Sequence, residues 1–103
     1  MGIKLLDQYS YLHFAVGIIS YFWGLTFTTF IIIHILFELM ENTIIGINII
    51  NKYFIFWPGG KSKSDSIENI IGDNLSAILG WFSAYYLDKL GNQRGWYTLH
   101  KKN

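Results

Sequence analysis

Residues 12–37 read LHFAVGIISYFWGLTFTTFIIIHILF, 26 consecutive positions without an acid, a lysine or an arginine. At a helical rise of about 1.5 Å per residue, ~20 apolar residues cross the hydrocarbon core of a bilayer, so this stretch predicts a transmembrane helix with length to spare. Its polar members are His13, Ser20, Thr26, Thr28, Thr29 and His34. Hydroxyl side chains cost little in such a helix, because they bond back to a carbonyl one turn earlier. The helix is expected to run on through Glu38-Leu39-Met40-Glu41-Asn42, giving a first span over 12–42.

Composition agrees with a lipid-embedded chain. Of 103 residues, 51% are hydrophobic and only 15% are charged, where soluble domains carry ~25%. The length allows one domain. Lys and Arg are scattered and form no basic stripe, so no nucleic-acid partner is expected. Without cysteine there is no disulfide, thiolate nucleophile or thiolate-bound metal.

Outward from the first span, residues 1–11 form a short amphipathic lead. Ile3, Leu5, Leu6, Tyr9 and Tyr11 in it suit a lipid surface. The apolar run behind the lead is too long for a signal-peptide core and lacks a small-x-small exit, so cleavage is not expected. On the other side, residues 43–57 are apolar but broken by Asn48, Asn51 and Lys52 at i, i+3, i+4. That run is too short and too polar to span, and predicts an interfacial helix or a re-entrant turn. Pro58-Gly59-Gly60 makes a turn. Asp65 followed by Glu68 reads as an N-cap with an acid at N3.

A second span is expected over 65–90, stopped by Gly91-Asn92-Gln93-Arg94-Gly95. The tail 91–103 is aromatic and then basic. The predicted fold is therefore an all-α membrane protein: a two-span antiparallel transmembrane hairpin, with residues 43–64 between the spans. Both termini then lie on one side with Lys4, Lys89, Arg94, Lys101 and Lys102, against Lys52, Lys61 and Lys63 on the other. The excess places the termini in the cytoplasm.

Small residues mark the expected helix contacts. Gly72, Ser76, Gly80 and Ala84 recur at i, i+4, and the first span offers Ser20, Gly24 and Thr28, with Gly17 one turn earlier. In lipid, helices associate through such close-packing ridges. The ridges could pair within one chain or between copies in a homo-oligomer or larger membrane assembly.

The polar residues carry the functional question. Glu38, Glu41 and Asn42 end the first span, and Asp65, Glu68, Asn69 and Asp73 open the second. Ionisable groups at membrane depth cost ~2.5–3.5 kcal/mol each on insertion scales, which makes them functional suspects. Capping and the interface account for Glu41, Asp65 and Glu68. They do not account for the deeper Glu38, Asn69 and Asp73.

His34 shares a face with Glu38 and Glu41, one turn apart, so His34, Glu38, Glu41 and Asp73 could together hold a divalent cation. A proton relay or a basic headgroup or peptide fits the same pattern, as does an internal salt bridge to Lys61. His13 reads as an interfacial side chain. Asn74-Leu75-Ser76 matches a glycosylation acceptor but falls inside the second helix. Gly-rich phosphate loops, Ser/His/Asp arrangements and zinc-protease helix motifs are absent from the sequence, and the acid spacing does not fit the phospholipid-building alcohol-phosphotransferases.

The pattern Glu38-x-x-Glu41-Asn42, then Asp65-Ser66-x-x-Asn69-x-x-x-Asp73, then Gly80, resembles a family of small bacterial integral membrane proteins with relatives among large DNA viruses. The likeness covers about residues 34–88, and no activity is attached to that family. Its members tend to lack the turn Trp57-Pro58-Gly59-Gly60-Lys61 and carry more membrane sequence. Together these features favour a non-enzymatic structural or assembly role in a viral or internal membrane, with the acidic cluster fixing the hairpin or docking a basic partner. The alternative is a divalent-cation site or proton relay in a lipid-directed enzyme or transporter.

Overall fold

The structure, a computed structural model, describes residues 3–54 and 64–96. All regular structure among the described residues is helical: α1 Ser10–Phe22, α2 Phe27–Glu41, α3 Ile44–Tyr53 and α4 Ile67–Gln93. The turn at Pro58-Gly59-Gly60, together with Lys61, and the tail from residue 97 lie outside the described residues.

The stretch 12–42, expected as one helix, is two. Gly24 takes φ 91°, the left-handed region open to a residue without Cβ. Gly24 N–H donates to the Tyr21 carbonyl and Leu25 N–H to the Ser20 carbonyl, the paired bonds of a Schellman stop. Thr26 then caps α2, its hydroxyl accepting from Thr29 N–H at 3.3 Å. The stop at Gly24 and the cap at Thr26 sit two positions apart, and hydropathy does not register either. Consequently α1 is only about 20 Å long and α2 about 22 Å. Among the described residues no single helix is long and apolar enough to cross a membrane. α2 and α3 reach that length and apolarity only as a pair, bent by 90°.

α1 folds back on α2, and both lean on α4. Along α1 and α4 the contacts rise together: Leu5 backs Gly72, Phe14 backs Gly80, and Gly17 backs Ala77 and Trp81. These two helices are thus parallel. The contact of His34 with Asn74 and of Phe27 with Trp81 and Phe82 makes α2 antiparallel to α4. The expected hairpin of two antiparallel spans is therefore a three-helix arrangement with α3 turned aside.

On the α4 ridge Gly72, Ser76, Gly80 and Ala84 are all buried. Its partner differs. Gly17 and Ser20 are buried, whereas Gly24 belongs to the turn and Thr28 is exposed. At Gly17, Gly72 and Gly80 an added Cβ would collide with the backbone of the facing segment, so helix and segment touch main chain to main chain. The ridges therefore pair within one chain.

α4 starts one residue later than its expected cap. Ser66, not Asp65, is the N-cap, its hydroxyl accepting from Asn69 N–H at 3.0 Å, and Glu68 stays exposed in the first turn. At the turn end of the bundle, Phe30, Ala77 and Trp81 form a small core edged by Tyr21, Phe27, Phe82 and Tyr85. Trp81 Nε1–H donates to the Leu25 carbonyl at 3.1 Å, fastening the turn to α4.

Candidate metal centre

At the opposite end the interior is polar. The largest fully buried side chains among the described residues are Glu38, Asn69 and Asp73, the same three that capping leaves unexplained in the sequence. His34 and Glu41 are buried beside them, and Glu41 is therefore deeper than an interfacial helix end.

Asn69 separates from the other two. Its Nδ2 donates to the Lys4 carbonyl at 2.7 Å and to Asp7 Oδ2 at 3.2 Å. Ser66 Oγ donates to the Ile3 carbonyl at 2.6 Å. These bonds dock the N-terminal lead against the start of α4, a structural task. Asn42 has a similar one: Nδ2 donates to the Glu38 carbonyl, and Oδ1 accepts from Asp65 N–H, each at 2.7 Å. One amide thus closes the end of α2 and brings Asp65 to Glu41.

The chemistry gathers around His13, which the sequence suggests is interfacial and which instead faces inward from α1. His13 Nδ1 lies 3.1 Å from His34 Nε2 and 4.0 Å from Glu38 Oε2. His13 Nε2 lies 3.3 Å from Asp73 Oδ2. The ring of His13 therefore stands between the two buried carboxyls, and Glu41 and Asp73 flank that of Glu38. The carboxyls of Glu38, Glu41 and Asp73 lie within hydrogen-bonding reach of one another, Glu38 in the middle, and Asp73 Oδ2 also faces His13 Nε2.

The outer ring nitrogens fix the proton positions. Asn74 Nδ2 donates to the Ile70 carbonyl one turn back at 3.0 Å, which turns Oδ1 toward His34 Nδ1 at 2.8 Å. An amide oxygen only accepts, so His34 carries its proton on Nδ1 and presents a lone pair at Nε2. Asp73 beside His13 Nε2 favours the proton there. In the neutral form both inward nitrogens then face each other with lone pairs. A cation between them relieves that arrangement, either a proton that makes His13 an imidazolium or a metal ion.

The spacing fits a metal. Bonds of about 2.0–2.1 Å from zinc to imidazole nitrogen put two ligand nitrogens roughly 3–3.4 Å apart. His13, His34 and Glu38 offer ligand atoms within 4.8 Å of one another, and so do Glu38, Glu41 and Asp65. Glu38 belongs to both sets. Asp73 and Asn74, consecutive on α4, hold the outer nitrogens of the two imidazoles, the supporting layer that metal-bound histidines regularly have.

Of the expected cluster, Glu38, Glu41, Asp65 and Asp73 come together with His34; Asn42 and Asn69 act as ties, and Lys61 lies outside the described residues. Sequence reasoning missed His13, whose partner lies 21 positions away across a turn. No family model, curated protein or solved structure matches the chain.

Proposed function

We propose that this protein is a lipid-embedded helical protein built around a divalent-cation centre, with His13, His34 and Glu38 as its core ligands. The observation that carries the reading is the facing pair of imidazole nitrogens, 3.1 Å apart with both outer nitrogens already engaged, next to the buried Glu38. Two imidazoles and a carboxylate suit a borderline ion such as zinc or manganese.

The lipid setting rests on an inverted distribution of polarity. The interior holds His34, Glu38, Glu41, Asn69, Asp73 and Asp88, while Ile32, Ile33, Leu36, Leu39 and Met40 of α2 and Leu75, Leu79 and Leu87 of α4 are exposed. A water-soluble chain does the reverse, and exposed apolar faces of this extent mark contact with lipid or protein. A cation here would tie α1, α2 and the start of α4 together, which unites the structural role with metal binding. Docking of a basic partner is less well supported, because Glu38 and Asp73 are buried.

Zinc and manganese titrations of the purified protein in detergent test this reading. Saturable uptake, weakened in His34→Ala and Glu38→Gln, is expected; no saturable uptake would overturn it. If a proton bridges the imidazoles instead, stability responds to pH and not to metal. Alkaline carbonate washing of membranes tests the lipid setting, with retention in the membrane fraction expected.

A further inference from the structure

The α1–α2 hairpin encloses a groove of about 560 Å³, within the ~300–1,000 Å³ of small-molecule sites. Val16 and Ile19 of α1 and Ile33 and Phe37 of α2 wall it, and where α1 begins and α2 finishes it is lined by His13, His34 and Glu41. The four wall residues are about half exposed, so the groove opens on the apolar surface of the hairpin. What enters from that side is a hydrocarbon chain.

The cation centre takes three ligands from the chain, His13, His34 and Glu38, and Glu41 stands outside that set. An ion with a purely structural task is closed by four ligands, whereas three leave a position for water or substrate. His13 and His34 both line the groove, so the open position meets its polar end. Charge restricts what sits there. Glu38 and the adjoining Glu41 and Asp73 set three carboxylates against a divalent ion, which disfavours an anionic head. An ammonium head has no lone pair to give a metal. A neutral oxygen donor remains, either water or a carbonyl, and a carbonyl is what an ion polarises toward attack. Glu41 has the position of a base: its carboxyl reaches that of the ligand Glu38, and it faces the groove. Water on the open side of the ion falls beside it.

Resting on the cation reading, we propose that this centre hydrolyses a neutral single-chain carboxylic ester, with Glu41 as general base and the groove holding the acyl chain. Glu41 takes a proton from the water on the ion. The water oxygen bonds to the carbonyl carbon, and the π electrons move onto the carbonyl oxygen. When they return, the bond to the ester oxygen breaks and Glu41 passes its proton to the departing alkoxide. One ester and one water give one acid and one alcohol, with no change of oxidation state. Once ionised, the acid is repelled by Glu41 and Asp73 and leaves.

Zinc-loaded protein in nanodiscs of ether-linked phosphatidylcholine, which offers no ester, tests the step with methyl laurate and methyl acetate. Hydrolysis of the laurate should be faster by about tenfold or more, and Glu41→Gln should slow it by roughly a hundredfold or more. Binding is read apart from turnover. Manganese-loaded protein should broaden the carbonyl carbon NMR line of methyl undecyl ketone, which does not hydrolyse, and leave that of acetone sharp. Glu41→Gln should keep this broadening. Val16→Trp and Ile33→Trp, at groove positions, should lose broadening and laurate hydrolysis together, with metal uptake unchanged. Long chains also gather in the bilayer itself, so hydrolysis and broadening that survive in both tryptophan variants place the chain outside the groove and overturn the proposal. Undiminished hydrolysis in Glu41→Gln overturns it too, as does loss of the broadening in that variant, since Glu41 is then a support and not the base. Metal uptake is measured first. Its absence overturns the cation reading and this proposal together, whereas uptake without ester hydrolysis overturns this proposal alone.

Discussion

Asn74 Oδ1 sits 2.8 Å from His34 Nδ1 across the α2–α4 contact, and the Ile70 carbonyl holds the amide in that orientation. A side chain that binds no ion thereby decides which nitrogen of His34 can bind one. Asn74→Leu should lower zinc or manganese affinity by about 10–100-fold, the usual effect of losing such a support. Stability of the ion-free protein should fall by only about 1 kcal/mol. Metal titration alongside thermal melting in chelator separates the two effects.

Acidification should reverse ion-dependent stabilisation. Both inward nitrogens and the carboxylates bind a metal only when free of protons, so protons compete with it. The gain in stability, about 2.7 kcal/mol at a hundredfold excess over Kd, is thus present at higher pH and lost as pH falls. A proton bridging the imidazoles predicts the opposite sign, with stability rising on acidification. Melting curves across pH, with and without zinc, read the sign.

Glu38→Gln should act in opposite directions in the two states. Without the ion it relieves the crowding of the three carboxyls of Glu38, Glu41 and Asp73, and a gain of about 1 kcal/mol is expected. With the ion present the variant should show little further stabilisation. A variant less stable in chelator than the wild type would mean that Glu38 is already neutralised by the protein itself.

Gly17 and Gly24 should separate packing from turn geometry. A methyl group at Gly17 meets the backbone at Ala77 and Trp81, whereas at Gly24 nothing lies within reach. Gly17→Ala should cost about 3 kcal/mol by overpacking and weaken the ion site, because α1 carries His13. Gly24→Ala should cost about 1–2 kcal/mol through its left-handed backbone and leave ion affinity intact. Thermal melting and metal titration of both variants provide the comparison.

Asn69→Leu should release the N-terminal lead. Removing its amide strands the Lys4 carbonyl, for a cost of about 1–3 kcal/mol. Limited proteolysis should cut faster between residues 3 and 9, while ion affinity changes little. Loss of affinity as large as in Glu38→Gln would place Asn69 in the centre after all.

The sequence makes part of this arrangement legible. The helical class, α4 and its small-residue ridge follow from hydropathy and spacing. The special standing of Glu38, Asn69 and Asp73 follows from the expense of polar groups in an apolar setting. Three other features do not show in a hydropathy reading. The break at Gly24 is a matter of two caps, Gly24 for α1 and Thr26 for α2, inside an apolar run that reads as continuous. The inward turn of His13 depends on that break, since a straight helix would carry His13 and His34 about 30 Å apart. The division of labour between Asn69 and Asp73, one turn apart on the same face, is set by the N-terminal lead that packs over Asn69 alone.

The turn at Gly24 also alters the parity of the chain. In a bilayer the α1–α2 hairpin either crosses and returns or dips in and comes back, and in both cases it ends on the side where it began. A straight helix over 12–42 would have carried the chain across once; broken at Gly24, the same residues carry it nowhere, and α2 and α3 reach a spanning length only as a pair bent by 90°.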